Sequence, residues 1–215
     1  MLTWNLKHGR SVPGSGRELL PEFGAALAGW EWDVALLQEV PPWWPSLLGG
    51  RLDASARLVL TSRNALLPLR RPIARRWPDA IKSNGGGCNA ILVRAERSIV
   101  EHRIRRLCLL PERRWLHAVR LSCGAWVGNL HAGGTLREAR EAGATAVRWA
   151  GAAPLTLGGD FNVHSLALEG LTWVAGRTAD HVFVARMSPV AGSARVLDRG
   201  SLSDHAPVAV TVTRA

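Results

Sequence analysis

Polar side chains that could do chemistry directly follow an apolar stretch in the last third of this sequence. The segment from Leu155 to His164 reads LTLGGDFNVH, in which an apolar run ends in two glycines and is followed by Asp160 and Asn162. A buried strand can end in any turn, so packing alone does not require this ending. The pattern therefore indicates a strand that delivers a carboxylate and a carboxamide to a site.

Other apolar segments carry polar residues at or near an end in the same way. These residues are Asn5, Glu39, Asn129 with His131, Asp180 with His181, and Asp204 with His205. Each has an ordinary explanation when taken alone, because Asn and Asp favour turns and a lone histidine usually packs without a catalytic role. Taken together, they favour chemistry on a phosphate group.

The oxygen donors in this set suit a hard divalent cation. Carboxylate and amide oxygens such as those of Glu39, Asn5 and Asp204 are the ligands that Mg²⁺ and Mn²⁺ take in proteins, alongside several waters. The three cysteines are far apart in the sequence and form neither a zinc pattern nor a disulfide framework. We therefore expect Mg²⁺ or Mn²⁺ as the cofactor.

The remaining residues could move protons. His131 and His205 could act as an acid and base pair, and Asp180 could fix the tautomer of one of them. Asp160 could orient or deprotonate a water for in-line attack on phosphorus, and Asn162 could donate to a phosphoryl oxygen without adding repulsive charge. These five residues are the predicted catalytic set.

The hydrophobic pattern predicts helices from Arg17 to about Trp30 and from Leu136 to Ala150. A strand and the first helix are followed by a block of strands with hairpin spacing, then by the second helix and more strands. The stretch WWPSLLGG after Pro42 is expected to form a turn region. Because helices and strands do not alternate throughout, two stacked sheets with the helices outside fit better than a doubly wound parallel sheet.

Length and hydropathy predict one domain over residues 1 to 215. No apolar run approaches the roughly 20 residues that span a bilayer. The start of the chain lacks a basic segment followed by an apolar one, so we expect no signal peptide and a cytoplasmic location. Nothing in the sequence requires a protein partner, and we expect a monomer without stable membrane insertion.

The net charge of +10 lies in the middle of the chain. Between Arg63 and Arg120 there are fourteen basic and four acidic residues, so the rest of the chain sums to zero. A basic segment of this kind favours a polyanionic partner, such as nucleic acid or an acidic membrane surface. A solvated surface in an arginine-rich protein explains it equally well, since the chain has 25 Arg and only 2 Lys.

The polar strand ends also match a known family. The matching pieces are TWN with Asn5, LLQE with Glu39, GNLH with His131, GDFN with Asp160 and Asn162, DHVFV with Asp180, and SDHAPV with Asp204 and His205. In this order they resemble the endonuclease/exonuclease/phosphatase superfamily of metal-dependent phosphoesterases related to deoxyribonuclease I. The resemblance implies an α/β (α+β) fold, a four-layer αββα sandwich of two mainly antiparallel sheets flanked by helices.

The resemblance also implies roles for the residues. Glu39 would hold the divalent metal with Asn5 and Asp204 nearby. His205, oriented by Asp180, would serve as base or phosphate stabiliser, and His131 would assist the leaving group. Asp160 and Asn162 would place the attacking water and the phosphoryl group. Whether one metal or two are used, and which residue activates water, stays open.

Departures from the family pattern bear on the substrate. Abasic-site endonucleases carry a tyrosine at the position of His131, and this chain has no tyrosine. They also tend to have an acidic metal ligand where Lys7 stands. The compact chain leaves little room for the long loops of inositol phosphatases or for a membrane-binding hairpin. In NGGGCNAILVR, Asn89 or Arg94 could face phosphate, although turn glycines entering a buried strand explain that segment as well.

The sequence thus predicts a divalent-metal phosphoesterase that hydrolyses a P–O bond by direct water attack. A nucleic-acid phosphodiester is the first choice of substrate, because of the basic middle segment and the compact chain. The alternative is a phosphatase or phosphodiesterase of a small or lipid-derived phosphate, of the inositol phosphate or sphingomyelinase type. A catalytically silent binding scaffold is a third reading, which the presence of the whole residue set disfavours.

Overall fold

The computed structural model describes residues 1 to 214, which form strands and helices in the following order. The strands are β1 (Leu2–Asn5), β2 (Val34–Val40), β3 (Ala54–Leu60), β4 (Cys88–Arg94), β5 (Ile99–Cys108), β6 (Arg114–Leu121), β7 (Trp126–His131), β8 (Leu155–Asp160), β9 (Thr172–Arg177), β10 (Asp180–Ala185), β11 (Met187–Pro189), β12 (Arg195–Val196), β13 (Val208–Ala209) and β14 (Val212–Arg214). The helices are α1 (Leu20–Ala28), α2 (Trp44–Leu52), α3 (Leu67–Arg76), α4 (Pro78–Ile81) and α5 (Leu136–Ala150), with short 3-10 turns at Lys7–Gly9 and Lys82–Gly85.

Most of the strands form two six-stranded mixed sheets. The first has the order β12-β13-β1-β2-β4-β3 and the second the order β5-β6-β7-β8-β10-β9, while β11 and β14 pair separately. Each sheet has one parallel pair, β1 with β2 and β7 with β8, and the other neighbours are antiparallel. Strands of a parallel pair end at the same edge of their sheet, so polar residues at those ends lie together.

Apolar packing between and outside the sheets makes four layers. Aliphatic side chains of both sheets, such as Leu36, Ile91 and Val119, fill the space between them. The outer face of the first sheet is covered by α1 and α2, where Phe23 stacks near Trp44 with ring centroids 5.4 Å apart. The outer face of the second sheet is covered by the alanine-rich face of α5. The predicted αββα sandwich is confirmed.

The helices differ more from the sequence prediction than the strands do. The helix α5 has the predicted bounds, and α1 is shorter than predicted, from Leu20 to Ala28. The expected turn region after Pro42 is instead the helix α2, and α3 and α4 lie inside the block that was predicted to contain only strands. Proline is tolerated in the first turn of a helix, which is where Pro45 stands, and Trp44, Leu48 and Leu52 are buried at helical spacing.

Two further findings concern the cysteines and the membrane. All three cysteines are free thiols, and only Cys88 is buried. Within residues 1 to 214, none of the helices combines the length and the apolar character needed to cross a bilayer.

A buried histidine in the second sheet makes stability depend on pH. His117 on β6 is fully buried, and its Nδ1 lies 3.3 Å from Nε2 of His102 on β5. Burial, together with the charge of His102, lowers the pKa of His117 to about 3. The folded protein therefore keeps His117 neutral in a pH range where the unfolded chain, with an ordinary histidine pKa of about 6.5, binds a proton.

We expect the free energy of unfolding to fall as the pH is lowered from about 6.5 towards 3, by about 1.4 kcal/mol per pH unit from this residue. Urea unfolding measured between pH 7 and pH 5 should show a shallower decline for His117→Gln than for the wild type. His164→Gln, which changes an exposed histidine, is the control and should keep the wild-type slope. Equal slopes for all three proteins would contradict this role of His117.

Candidate active site

The side chain of Asp160 contacts residues from several separate parts of the chain. Asp160, at the end of β8, is buried, and its Oδ2 accepts a hydrogen bond of 3.0 Å from Nδ2 of Asn5 at the end of β1. The same oxygen lies 3.5 Å from Nε2 of His131, at the end of β7, and 3.9 Å from Nε2 of His205. Its Oδ1 accepts from the backbone N–H of Asn162 at 2.9 Å. The structure thus brings five of the predicted residues together.

The glycines before Asp160 allow this approach. Gly159 has a φ of +144°, and a Cβ atom placed on it would lie 2.0 Å from the carbonyl oxygen of Leu130. Only glycine fits that position, because any side chain would force β7 and β8 apart. The close contact keeps His131 and Asp160 in register as partners in the parallel pair. The position of Asp160 at the end of β8 therefore depends on the absence of a side chain at Gly159.

His205 is held by contacts from both sheets. Its Nδ1 lies 2.8 Å from Oδ2 of Asp180, which stands opposite Asp160 in the β8–β10 pair. The carbonyl oxygen of His205 accepts from Nε1 of Trp4 at 2.9 Å. The hydroxyl of Ser203 accepts from the N–H of His205 and donates to the carbonyl oxygen of Asn5 at 2.6 Å. The loop that carries His205 is thereby fixed on β1.

The two histidines beside Asp160 differ in charge at neutral pH. Burial acts to lower the pKa of His205, but the hydrogen bond to Asp180 and the charges of Asp180, Asp160 and Asp204 outweigh it and raise that pKa to about 9. Burial lowers the pKa of His131 well below its ordinary value, and the nearby positive groups, Arg114 first among them, add to the effect. His205 is therefore a cation and His131 a neutral imidazole, which suits them to different tasks.

Glu39 lies on the other side of His131. It has a φ of +48° and sits at an irregularity in the pairing of β2 with β4. Its carboxylate oxygens lie 3.3 Å from Nε2 of His8 and 3.9 Å from Nε2 of His131. Burial lowers the pKa of His8 although the charge of Glu39 opposes this. The carboxylate of Glu39 therefore faces two neutral imidazoles rather than a cation.

The remaining predicted metal ligands already have partners. The carboxylate of Asp204 is 2.5 Å from Nζ of Lys7, and this contact lowers the pKa of Asp204 against the opposing effect of burial. The amide of Asn5 donates to Asp160, and its oxygen accepts from the N–H of Lys7 at 2.9 Å. Of the three predicted metal ligands, Glu39 is the one whose carboxylate is not already paired with a cation or an amide group in the described part of the chain. Its hard oxygen donors fit Mg²⁺ or Mn²⁺.

A second grouping of possible ligand atoms lies around His205. Asp160, Asp180 and His205 have ligand atoms within 4.8 Å of one another. Asp180 Oδ2 is joined to Nδ1 of His205 by a hydrogen bond of 2.8 Å, whereas Nε2 of His205 lies 3.9 Å from Oδ2 of Asp160. The hydrogen bond fixes the orientation of His205 and turns its Nε2 towards Asp160.

Of the two predicted phosphate-facing residues, only Asn89 lies at the site. Asn89 is fully buried beside Glu39 and His131, and among residues 1 to 214 neither Nδ2 nor Oδ1 of its side chain has a hydrogen-bond partner. Arg94 is at the other end of β4, where it stacks on Trp32 at 4.2 Å and lines a cavity of about 790 Å³. The antiparallel pairing with β2 separates Arg94 from Glu39 by the length of the strand.

Two other predicted amides have their hydrogen bonds inside the protein. Nδ2 of Asn162, the group expected to contact phosphate, donates to the carbonyl oxygen of Ala132 at 2.8 Å, which leaves one amide hydrogen. Asn129 points between the sheets instead of towards the site. Its Nδ2 donates to the backbone of Leu37 and Ala90, and its oxygen accepts from Gln38 at 2.8 Å. Asn129 therefore joins the sheets to each other.

Sequence reasoning missed three residues around the cleft. Nothing in the sequence around His8 indicates a partner, but its Nε2 lies 3.3 Å from a carboxylate oxygen of Glu39. Arg63 and Arg114 line the same cleft, and both are bound to the single carboxylate of Glu112, with Arg114 Nη2 2.9 Å from Glu112 Oε2. Two guanidinium groups on one carboxylate leave a net positive charge. The only sequence signal for the arginines was the basic middle segment that contains them.

The protein-family model described as the Endonuclease/Exonuclease/phosphatase family matches residues 2–205. No curated protein matches this chain.

Solved structures show the same fold at low sequence identity. An endonuclease/exonuclease/phosphatase from Beutenbergia cavernae is 18% identical, with a TM-score of 0.71 over 99% of this chain and 70% of that one. A mannosyl-6-phosphatase from Bacteroides thetaiotaomicron is 16% identical, with a TM-score of 0.66 over 99% and 98%. D. rerio TDP2 complexed with a single-strand DNA product is 16% identical, with a TM-score of 0.67 over 99% and 97%.

The family model spans almost the whole chain and includes every strand that carries a predicted site residue. Together with the αββα sandwich and the structures that share it, this match decides the classification. The chain belongs to the Endonuclease/Exonuclease/phosphatase family, whose members hydrolyse phosphoesters.

Proposed function

We propose that this protein is a divalent-metal-dependent phosphoesterase that hydrolyses a P–O bond by direct attack of water. The observation that carries the proposal is the contact of one buried carboxylate, Asp160, with a neutral histidine and a cationic one. A carboxylate can orient and deprotonate a water, while the two histidines act on the phosphoryl and leaving-group oxygens.

The charge states assign the roles. His205, a cation fixed by Asp180, stabilises negative charge that develops on the phosphoryl oxygens. His131 is neutral and contacts the leaving-group oxygen. Asp160, anchored by Asn5, places the attacking water. Asn162 donates its remaining amide hydrogen to the phosphoryl group.

Glu39 would hold Mg²⁺ or Mn²⁺, with Asn5 and Asp204 nearby. When bound, the cation supplies positive charge against the phosphoryl oxygens in addition to that of His205. On the protein side, Lys7 keeps Asp204 paired, and Glu39 keeps its carboxylate oriented by its contacts with His8 and His131.

The first choice of substrate is a nucleic-acid phosphodiester. Arg63 and Arg114 lie in the cleft itself, and they belong to the basic segment between residues 63 and 120. Guanidinium groups pair well with phosphates of a polyanion. The D. rerio TDP2 complexed with a DNA product, a structure of the same fold, adds support.

The second candidate is a phosphatase or phosphodiesterase of a small or lipid-derived phosphate. Two observations favour it: the mannosyl-6-phosphatase has the same fold, and α3 exposes several large apolar side chains near the cleft.

The first test removes the charge of the central carboxylate. Asp160→Asn keeps the size of the side chain and should lower kcat for a generic phosphodiester such as bis(p-nitrophenyl) phosphate by about 10²- to 10⁴-fold with Mg²⁺ or Mn²⁺ present. Glu169→Gln changes an exposed carboxylate elsewhere and is the matched control. An Asp160→Asn protein that folds and retains wild-type kcat would refute the site assignment.

The unpartnered amide of Asn89 gives a test in which stability and activity change in opposite directions. Replacing a buried polar group that lacks hydrogen bonds by an apolar group of similar size removes its desolvation cost. Asn89→Leu should therefore raise the free energy of unfolding by about 1 kcal/mol or more, measured by urea unfolding. If Asn89 contacts the substrate, the same variant should lower kcat/KM.

Asn129→Leu is the matched control, because Asn129 is equally buried but fully hydrogen-bonded. The free energy of unfolding of this variant should be lower than that of the wild type, because its hydrogen bonds are lost. An Asn89→Leu protein that is stabilised and fully active would show that Asn89 has no role in substrate binding.

Salt dependence separates the two substrate classes. Binding of single-stranded DNA to the Asp160→Asn variant should weaken steeply with salt, with a log–log slope of about −0.7 for each phosphate contact. Arg63→Gln should reduce the slope by about one contact, whereas Arg140→Gln, on the exposed side of α5, should leave it unchanged. A flat salt response would exclude nucleic acid and leave the small or lipid-derived phosphate.

A further inference from the structure

The helix α3 exposes a stripe of large apolar side chains. Leu66 and Leu69 are each 68% exposed, Ile73 is 46% exposed and Trp77 is 54% exposed. Leu66 directly precedes the helix and Trp77 directly follows it, with its N–H still bonded to the carbonyl oxygen of Ile73. Spacings of three, four and four residues place these side chains on one face of a helix.

The opposite side of α3 fixes its orientation on the protein. Ala74, the buried residue of the helix, packs on Gly85. The guanidinium of Arg71 stacks over Trp43 at 5.8 Å, and Nε of Arg75 lies 2.8 Å from Oε2 of Glu18. Because these contacts hold the other face, the apolar stripe points to solvent.

Positive charge borders the apolar stripe. Arg70 and Arg76 lie one position away from Leu69 and Trp77 and flank the stripe on its two sides. The guanidinium of Arg76 stacks over the Trp77 ring at 5.5 Å. Of the six basic residues between positions 63 and 82, Arg63 and Arg75 are paired with Glu112 and Glu18, and the other four have no carboxylate partner among the described residues. The exposed surface is thus an apolar ridge with a basic border.

We propose that α3 docks on the surface of a lipid bilayer that contains anionic lipids. An amphipathic helix with arginines beside a face of Leu, Ile and Trp lies in the interfacial region, with the apolar face in the acyl boundary and the arginines at the headgroups. Nucleic acid would pair with the arginines but would leave Leu66, Leu69 and Ile73 in water. A bilayer with anionic lipids would contact both the apolar side chains and the arginines.

The position of α3 links this surface to the cleft. Arg63, just before the helix, and Ser83, just after α4, line the cleft together with Glu39 and His131. Arg70 holds this arrangement, because its Nη1 donates to the carbonyl oxygens of Arg63 and Asn84. Docking of α3 places the cleft close to the lipid surface. The docking itself does not depend on the proposed activity.

The test is co-sedimentation of the full chain with vesicles. The wild type should pellet with vesicles of phosphatidylcholine mixed with phosphatidylglycerol, and much less with phosphatidylcholine alone. The double variant Leu69→Asn with Ile73→Asn should partition at least about tenfold more weakly, because two apolar side chains are lost. Arg76→Gln should weaken partitioning about fivefold.

The control is Val190→Asn with Val196→Asn, which removes two exposed apolar side chains elsewhere on the surface and should pellet like the wild type. The proposal is overturned if the wild type does not pellet with the anionic vesicles, or if the Leu69/Ile73 variant pellets as well as the wild type does. It is also overturned if the wild type is a dimer that this variant converts to a monomer, or if α3 binds DNA through Arg76 and not vesicles.

Discussion

The site depends on one hydrogen bond that joins the two sheets. Nδ2 of Asn5, at the end of a central strand of the first sheet, donates to Oδ2 of Asp160, at the end of a central strand of the second. The bond is possible because Gly159 allows β8 to run against the backbone of Leu130. If either condition failed, His131 of the second sheet and Glu39 of the first would no longer face a common cleft.

Buried polar contacts below the site keep the sheets in that relation. Gln38 precedes Glu39 on β2, and its Nε2 donates to Thr3 of β1 and to Asn129 of the second sheet. Apolar packing between sheets is tolerant of small shifts, whereas hydrogen bonds in an interior are directional and costly to leave unmade. The Gln38–Asn129 pair therefore sets the offset that aligns Glu39 with His131.

The sequence was a good guide wherever local pattern decides structure. The strands that end in Asp160, His131 and Glu39 were visible as apolar runs with polar endings, and the family motifs placed them in one fold. The helix α2 was missed because Pro45 and two glycines suggest a turn, while the burial that stabilises the helix comes from the sheet beneath it. Tertiary packing overrides local propensity in such segments.

Local sequence patterns do not predict contacts between distant parts of the chain. Lys7 and Asp204 are separated by 197 positions, and nothing in either neighbourhood indicates that they pair. The same holds for His8 with Glu39. Asn89 and Arg94 were proposed on equal terms from one segment, but the direction of β4 puts them at opposite ends of the sandwich. Only the arrangement of the strands in space decides which of them faces the site.

The carboxylates of the cleft fall into two classes by their partners. Asp180 faces the cationic His205, and Asp204 faces the ammonium of Lys7, so both are compensated within the protein. Glu39 and Asp160 each approach the neutral His131, at 3.9 Å and 3.5 Å, and Glu39 also faces the neutral His8.

Negative charge held in a low-dielectric cleft without a close cation is costly, and it is relieved by a proton or by a cation from solution. Asp160 has the cationic His205 at 3.9 Å and accepts hydrogen bonds from Asn5 and Asn162, whereas the histidines beside Glu39 are both neutral. Within residues 1 to 214, Glu39 is therefore the cleft carboxylate that has no cationic histidine or lysine beside it, and its oxygens are the ones that would hold a divalent ion.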